Sequence, residues 1–348
     1  MPRLIAYPGE RARYSNPGPE GAAAAPRAMK RTRWAIAFLL ALASSLCLGQ
    51  GYPSRPVRLI VPFPPGGSND IVGRMIAAQL GERLGQQVVV DNRGGAGGVL
   101  GTELAAKAPP DGYTLLLISV AYAFNPALYK KLPYDPQSAF VPVAMLGRGA
   151  VALTVNPSLP VNSVQELIAL AKAKPGTLNY ASAGVGSLQH LASALFMSQA
   201  GIDVVHIPYK GGGPAMADVI AGQAQIVMPS MIQVLPHIRS GRLRVLGTSG
   251  VKRSASLPEV PTISEAGVPG YEAHNWWGML APAGTPQPVI ERLRDALEMV
   301  LASSETKKRF ETEGAEVIRM SPVEFGRFIA VELEKWPKVA RQAGIKAE

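Results

Sequence analysis

The chain has 348 residues, 47% of them hydrophobic and 17% charged, which is enough for two domains with sizeable cores and too apolar for a disordered chain. Of its 35 basic and 25 acidic residues, 7 and 2 fall within residues 1–49, so the formal net charge of +10 drops to +5 for the remainder. The basic clusters left there, such as Lys130-Lys131 and Lys307-Lys308-Arg309, are short and not interleaved with aromatics, which excludes a nucleic-acid stripe.

Residues 1–28 are rich in Ala, Pro, Gly and Arg and show no periodicity; they read as an over-extended leader, with the real start at Met29. Residues 29–49 read as a signal peptide. Met29 to Arg33 is a basic n-region, and "WAIAFLLALASSLCLG" is an apolar run of h-region length, short for a membrane span. Small residues Cys47 and Gly49 suit a cut before Gln50. Cys47 is the only cysteine, so the mature chain is expected to carry no disulfide, thiol nucleophile or thiolate metal site. An exported, cysteine-free protein fits a periplasm.

From Tyr52 onward, short apolar runs alternate with amphipathic stretches. "VRLIVPF" (57–63) predicts a buried strand, 70–84 a helix, "QQVVVD" a strand, 98–107 a helix and "YTLLLIS" (113–119) a strand. That β-α-β-α-β rhythm implies a parallel sheet covered by helices. The proline-containing stretch 125–146 reads as loop. A second α/β half begins near Ala150, with strands at "VALTVN", "LNYAS", "DVVHIPY", "AQIVMPS" and "RLRVLGTS" and helices at 163–176, 187–201 and 213–223. The C-terminal part returns to helix at 285–303 and 321–342, the latter with Phe325, Phe328, Leu333, Trp336 and Val339 on one face as a core-docking stripe.

The turn after the first strand is unusually bare. Pro65, Gly66, Gly67, Ser68, Asn69 and Asp70 join a core strand to a helix start. Such a start presents unpaired backbone N–H groups and the positive end of the helix dipole. Glycines let a ligand approach that backbone, and prolines hold the loop in one shape. Two readings follow: an anion site at the carboxyl end of a strand, or a tight turn with Ser68 or Asp70 capping the helix. "YASAGVGSLQH" (180–190) repeats the design with Ser187 at a helix start, and "YKGGGPAMAD" (209–218) repeats it again. Three such turns from two α/β halves suit a small anion held from both sides of one cleft.

Competing chemistry is weak. "GGAGGVLG" (94–101) fails G-x-G-x-x-G at Leu100, no phosphate-binding P-loop occurs, and "YASAG" lacks the first glycine of a nucleophile elbow. His190, His206, His237 and His274 have no metal-ligand spacing. No catalytic residue, metal site or cofactor is expected.

The motifs "YPSRPVRLIVPFPPGGSND", "NRGGAGGVLGTELAAKAPPDGYTLL", "NPALYKKLPYDP", "LNYASAGVGS", "HIPYKGGGPA", "LPEVPTISEAGVPGYE" and "WWGMLAPAGTP" together resemble the substrate-binding receptors of tripartite tricarboxylate transporters, the Bug family. The match runs from about Tyr52 to the C-terminus. The resemblance implies a two-lobed α/β periplasmic binding protein of the type II-like class, each lobe a mostly parallel sheet with flanking helices and the ligand in the interlobe cleft. It implies that the chain crosses between lobes twice, which gives lobe 1 as 50–149 with 276–348 and lobe 2 as 150–275. It implies a ligand held largely by backbone groups from Pro65 to Asp70, from Ser182, Ala183, Gly184 and Ser187, and from Tyr209, Lys210 and Gly211, with Ala121 and Tyr122 near the cleft. Lys210 and Arg93 are candidate charge partners. Gly94, Tyr122, Phe124, "VMPSMIQ" and the Trp276-Trp277 pair depart from the usual pattern and bear on ligand identity.

The expected role is a monomeric solute receptor that captures a small organic acid, whether mono-, di- or tricarboxylate, aromatic acids included, and delivers it to membrane permease subunits. A ligand-presenting sensor component and a hydrolase-like enzyme using Ser182 are the rivals. A receptor returns its ligand unchanged; an enzyme turns it over.

Overall fold

A computed structural model describes residues 51–342 and 345. The expected leader and signal segment, 1–49, lie outside the described residues.

Two sheets organise the chain. The first contains β1 (Val57–Val61), β2 (Val88–Asn92), β3 (Thr114–Ser119), β4 (Phe140–Ala150), β10 (His274–Pro282) and β11 (Ala315–Val317), in the order β11-β4-β10-β3-β1-β2. The second contains β5 (Ala152–Val155), β6 (Asn179–Ser182), β7 (Val205–Pro208), β8 (Ile226–Val227) and β9 (Arg244–Thr248), in the order β7-β6-β8-β5-β9. Among the described residues ten α-helices cover them: α1 (Ser68–Leu84), α2 (Val99–Ala106), α3 (Val120–Leu128), α4 (Val164–Ala173), α5 (Leu188–Ala200), α6 (Gly212–Ile220), α7 (Met231–Arg239), α8 (Gln287–Ala302), α9 (Ser304–Thr312) and α10 (Pro322–Gln342).

Strand periodicity decides which side each residue serves. Leu59 and Val61 of β1, and Leu115 and Leu117 of β3, pack with Val72, Ile76 and Leu80 of α1 and Leu293 and Leu297 of α8. Ile60, Leu116 and Ile118, one residue out of phase, pack on the opposite face with Phe124 of α3 and Phe325, Leu333 and Trp336 of α10. A sheet covered on both faces needs strands apolar at successive positions, and Leu59–Val61 of β1 and Leu115–Ile118 of β3 supply them.

The expected mostly parallel sheets are mixed. β1 pairs in parallel with β2 and β3, and β6 in parallel with β7 and β8. The remaining pairings, of β10 with β3 and β4, β11 with β4, and β5 with β8 and β9, are antiparallel. The reason is the route of the chain. β4 leads out of the first sheet and, one residue later, β5 begins the second; β10 leads back. Chain leaving and chain returning run in opposite directions, so β4 and β10 form an antiparallel pair, with His274 opposite Ala150 and Pro282 opposite Phe140.

Candidate ligand-binding site

After β1 the chain runs through Pro62, Pro64 and Pro65 into Gly67, the N-cap of α1. Pro64 is packed between glycines. A Cβ on Gly94 would stand 2.6 Å from its Cδ, and one on Gly211 3.0 Å from its Cγ. The departure at Gly94 thus has a local cause: the neighbouring proline fills the space.

Gly67 is extended, with φ −87° and ψ 168°, and no side chain caps the helix. The first intrahelical bond runs from Ile71 N–H to Gly67 O at 3.1 Å. The N–H groups of Ser68, Asn69 and Asp70 therefore lack a partner within α1. Asp70 does not cap them. Its carboxylate reaches back to accept from Gly66 N–H at 3.0 Å and from Arg74 Nε at 2.9 Å. Arg74 also donates to Asn92 Oδ1 at 3.0 Å, and Asn92 Nδ2 donates to Phe63 O at 3.0 Å. Burial pushes the Asp70 carboxyl up, but the bonds from Arg74 and Gly66 outweigh it and hold it below the ordinary value. Asp70 is a brace, tying both ends of the turn. The Asn69 side chain is also committed, accepting from Trp277 Nε1 at 3.0 Å and donating to Ser119 Oγ at 3.2 Å. Ser68 Oγ accepts from Asn275 Nδ2 at 3.3 Å and keeps its own proton to give.

In the second sheet, Ser182 ends β6 and is fully buried. Its Oγ accepts from Gly184 N–H at 3.1 Å and lies 2.6 Å from His206 Nε2. The His206 ring stacks between Tyr180 and His190, with centroids 4.7 and 4.5 Å away. His190 Nδ1 accepts from Gly186 N–H at 3.3 Å, and Ser187 Oγ caps α5 by accepting from His190 N–H. Burial lowers both imidazoles to about 4, His206 adding to the effect on His190, so both are neutral near pH 7. This ring stack holds the shape of the 182–190 turn.

Between these turns lies a narrow cavity of about 30 Å³. Its wall brings together five helix starts. Gly67, Ser68 and Asn69 belong to α1, and Ser119 is the N-cap of α3. Ser187, Leu188 and Gln189 open α5, Gly212 opens α6, and Gln233 lies in the first turn of α7. Phe63, Ala183 and Asn275 complete it. No Lys, Arg, His, Asp or Glu is in the wall. Each helix start contributes roughly half a positive charge, so the wall is positive without a cation. Larger hollows of about 420 and 660 Å³ exist elsewhere, and ion pairs cross their walls, Arg319 with Glu298 and Arg148 with Glu316.

Of the residues expected at the site, Gly67, Ser68, Asn69, Ala183 and Ser187 are in the wall. Pro65 and Gly66 are exposed at the rim, where a Cβ on Gly66 would stand 3.9 Å from Gly213 Cα. Asp70, Ser182, Gly184 and Gly211 stand behind it as supports. Tyr209 contributes a backbone bond to Ser182 O at 2.9 Å, Lys210 is exposed, and Arg93 is paired with Asp91 at 2.9 Å. Ala121 and Tyr122 lie outside the wall. Ser119 at the cap of α3 faces the cavity, whereas Tyr122, three residues into the helix, points to the core, stacks on Tyr134 and gives its hydroxyl to Pro136 O at 2.6 Å. Ala121 is buried and outside the wall.

Sequence reasoning missed Ser119, Gln189, Gly212, Gln233 and Asn275. Gln189 and Gly212 stand inside two of the glycine motifs, and Gln233 ends the "VMPSMIQ" stretch that departs from the usual pattern. Ser119 and Asn275 carry no local signal, because strand pairing brings them to the cavity.

The family model for the tripartite tricarboxylate transporter family receptor matches residues 72–345. Protein BugT of Bordetella pertussis is 42% identical over 297 residues, 85% of this chain and 91% of BugT. An R. palustris protein solved with adipate is 37% identical with a TM-score of 0.83, covering 85% of this chain and all of that one. MatC of Rhodopseudomonas palustris, solved with bound malate, is 32% identical with a TM-score of 0.79, covering 83% of this chain and 99% of its own. With a family model across most of the sequence and relatives matched nearly end to end, the chain belongs to the tripartite tricarboxylate transporter receptors, a two-lobed periplasmic binding-protein family.

Proposed function

We propose that this protein is an exported solute receptor that captures a small organic carboxylate between its lobes and hands it to membrane permease subunits. The observation that carries the reading is the convergence of five helix starts on one cavity whose wall has no charged side chain. Such a wall favours an anion and needs no counter-charge inside it. Relatives solved with adipate and with malate support the choice of a carboxylate. In this reading lobe 1 is 50–149 with 276–348, lobe 2 is 150–275, and the receptor acts as a monomer. It is exported after cleavage near Gln50, which N-terminal sequencing of periplasmic material tests.

The protein binds and releases without turnover. Ser182 beside His206 looks like a nucleophile and its base, but the serine is fully buried and lies behind the wall. An imidazole lowered to about 4 is a weak base at neutral pH. A thermal-shift screen with mono-, di- and tricarboxylates tests the function. A ligand at 100 times its Kd adds about 2.7 kcal/mol to stability, an easily seen shift. Recovery of that ligand unchanged is expected; no shift with any carboxylate, or chemical conversion of the one bound, overturns the reading.

A further inference from the structure

α7 is buried along five successive residues, Met231 to Leu235, and they serve three different places. Met231, Val234 and Leu235 pack into the core of the second sheet with Ala152, Val219 and Leu243. Gln233 is in the wall of the cavity. Ile232, 1% exposed, belongs to the apolar cluster of the first sheet, with Val72 and Ile76 of α1 and Val143 and Leu146 of β4. Among the described residues, every other member of that cluster lies within 52–146 or 277–317. The helix meets the first half at both of its ends as well. A Cβ on Gly314 would fall 2.9 Å from Met231 Cβ, and Arg239 Nη2 donates to Thr312 O at 3.5 Å.

Three apolar side chains fix α7 in the second core, so the helix moves with that half when the lobes part. Ile232 is then drawn out of the first core, and closing buries it again. That burial favours closure in proportion to the apolar area removed from water. Ile232 is not in the cavity wall, so it acts without touching the ligand. Resting on the two-lobed receptor reading, we propose that Ile232 is a positioning residue, an apolar latch on α7 whose entry into the first core sets how readily the lobes close. A receptor loses apparent affinity in proportion to the fraction of time its binding-competent state is absent. The latch therefore scales the affinity for every ligand by one factor, whereas a residue of the wall discriminates between ligands. The competing reading is a contact that survives opening, since Ser230, the N-cap of α7, pairs with Val151 beside the crossing. Such a contact would hold the fold and leave affinity alone.

Calorimetry on the full protein separates the two, with malate and adipate as probes, or the two tightest acids of the wider screen where these do not bind. Ile232→Ala is expected to weaken both acids by the same factor, roughly tenfold, the worth of about two buried methylene groups. Stopped-flow tryptophan fluorescence is expected to show the loss as faster release. Ile232→Val removes one such group and is expected to cost about threefold; it serves where alanine unfolds the protein. Ile232→Leu, which keeps the volume, is expected to bind nearly as the parent does. Small-angle scattering is expected to give Ile232→Ala the parent's radius at saturation, because the latch alters how often the lobes close and not how far. If the alanine and valine variants melt lower yet bind both acids as the parent does, or if the two acids weaken by clearly different factors, the latch is overturned and the receptor reading stands. The same holds if ligand leaves the parent's radius unchanged, since there is then no opening to oppose. If no carboxylate of the screen binds the parent, both fall.

Discussion

At the residue scale, the bare turn 62–70 answers to three demands at once. Its prolines fill space that glycines on both flanks leave, the N–H groups of Ser68, Asn69 and Asp70 are left without a partner within the helix, and its one charged side chain braces the turn. Gly67 sits where these demands meet. Its backbone is in an extended region open to any residue, and a Cβ there would find only Pro64 O at 4.0 Å. Gly67→Val is therefore expected to fold normally, with an unchanged melting temperature, and to weaken carboxylate binding by about 1–3 kcal/mol through the space it takes. Ser68→Ala is expected to cost about 1 kcal/mol of binding, the net worth of one hydroxyl bond. Calorimetry on both orders the effects; equal binding by Gly67→Val and the parent would mean that the turn only connects. Asp70 gives a prediction in pH. Its folded carboxyl is held below the ordinary value, so the stability it contributes is present above about pH 4 and lost as pH falls through the folded value. Urea unfolding is expected to show Asp70→Asn less stable than the parent at pH 7, with the gap narrowing at pH 3. A gap that stays constant would show that Asp70 acts by shape and not by charge.

At the element scale, the sequence reveals elements that bury one face or one continuous run, and hides those defined by pairing. β1, β3, α1, α5, α8 and α10 are legible because apolar residues recur at strand or helix period. α3 and α7 are not, because each is only nine residues long and carries a proline, Pro126 or Pro236, past its first turn, which reads as a break. β4 is masked by Pro142 and its glycines, and β10 reads only as a motif; the two become strands by pairing with each other over nine residues of β10. The site follows the same rule. Its glycine turns are visible, while Ser119, Gln233 and Asn275 reach the cavity only through the sheet order. The docking of α10 onto β10 shows how specific that hidden pairing is. Glu332 of α10 is 6% exposed, and its Oε2 accepts from Trp276 Nε1 at 2.9 Å and from Trp336 Nε1 at 2.7 Å. Glu332→Leu fits the space but strands two buried indole N–H groups. At about 1–3 kcal/mol for each, urea unfolding is expected to show a loss of roughly 2–5 kcal/mol. A loss below about 1 kcal/mol would mean that apolar packing around Phe325 and Phe328 holds α10 without the carboxylate.

At the scale of the whole molecule, the two sheets are joined by a pair of adjacent, antiparallel crossing strands, and their facing turns touch glycine to glycine. A Cβ on Gly213 would stand 3.4 Å from Pro65 O and 4.0 Å from Gly66 Cα, and one on Gly186 would stand 3.6 Å from Gly97 Cα. Contacts this close leave a cavity of about 30 Å³, the volume of roughly one water in the liquid. A ligand of several heavy atoms is larger than that space, so its entry is expected to part the lobes about the crossing near Ala150 and His274, and its capture to close them again. Small-angle scattering is expected to give a smaller radius of gyration with saturating ligand than without it. Gly213→Leu tests the role of the lips directly. It stands in the first turn of α6, where leucine is compatible with the helix, and its side chain exceeds the gap to Pro65. The variant is expected to bind more weakly and to keep the larger radius when ligand is added, because the lobes meet the leucine before the helix starts meet the anion. If the parent's radius does not change with ligand, the site is preformed and no hinge is needed. If the variant contracts as far as the parent, closure is set elsewhere, and the glycine lips serve packing alone.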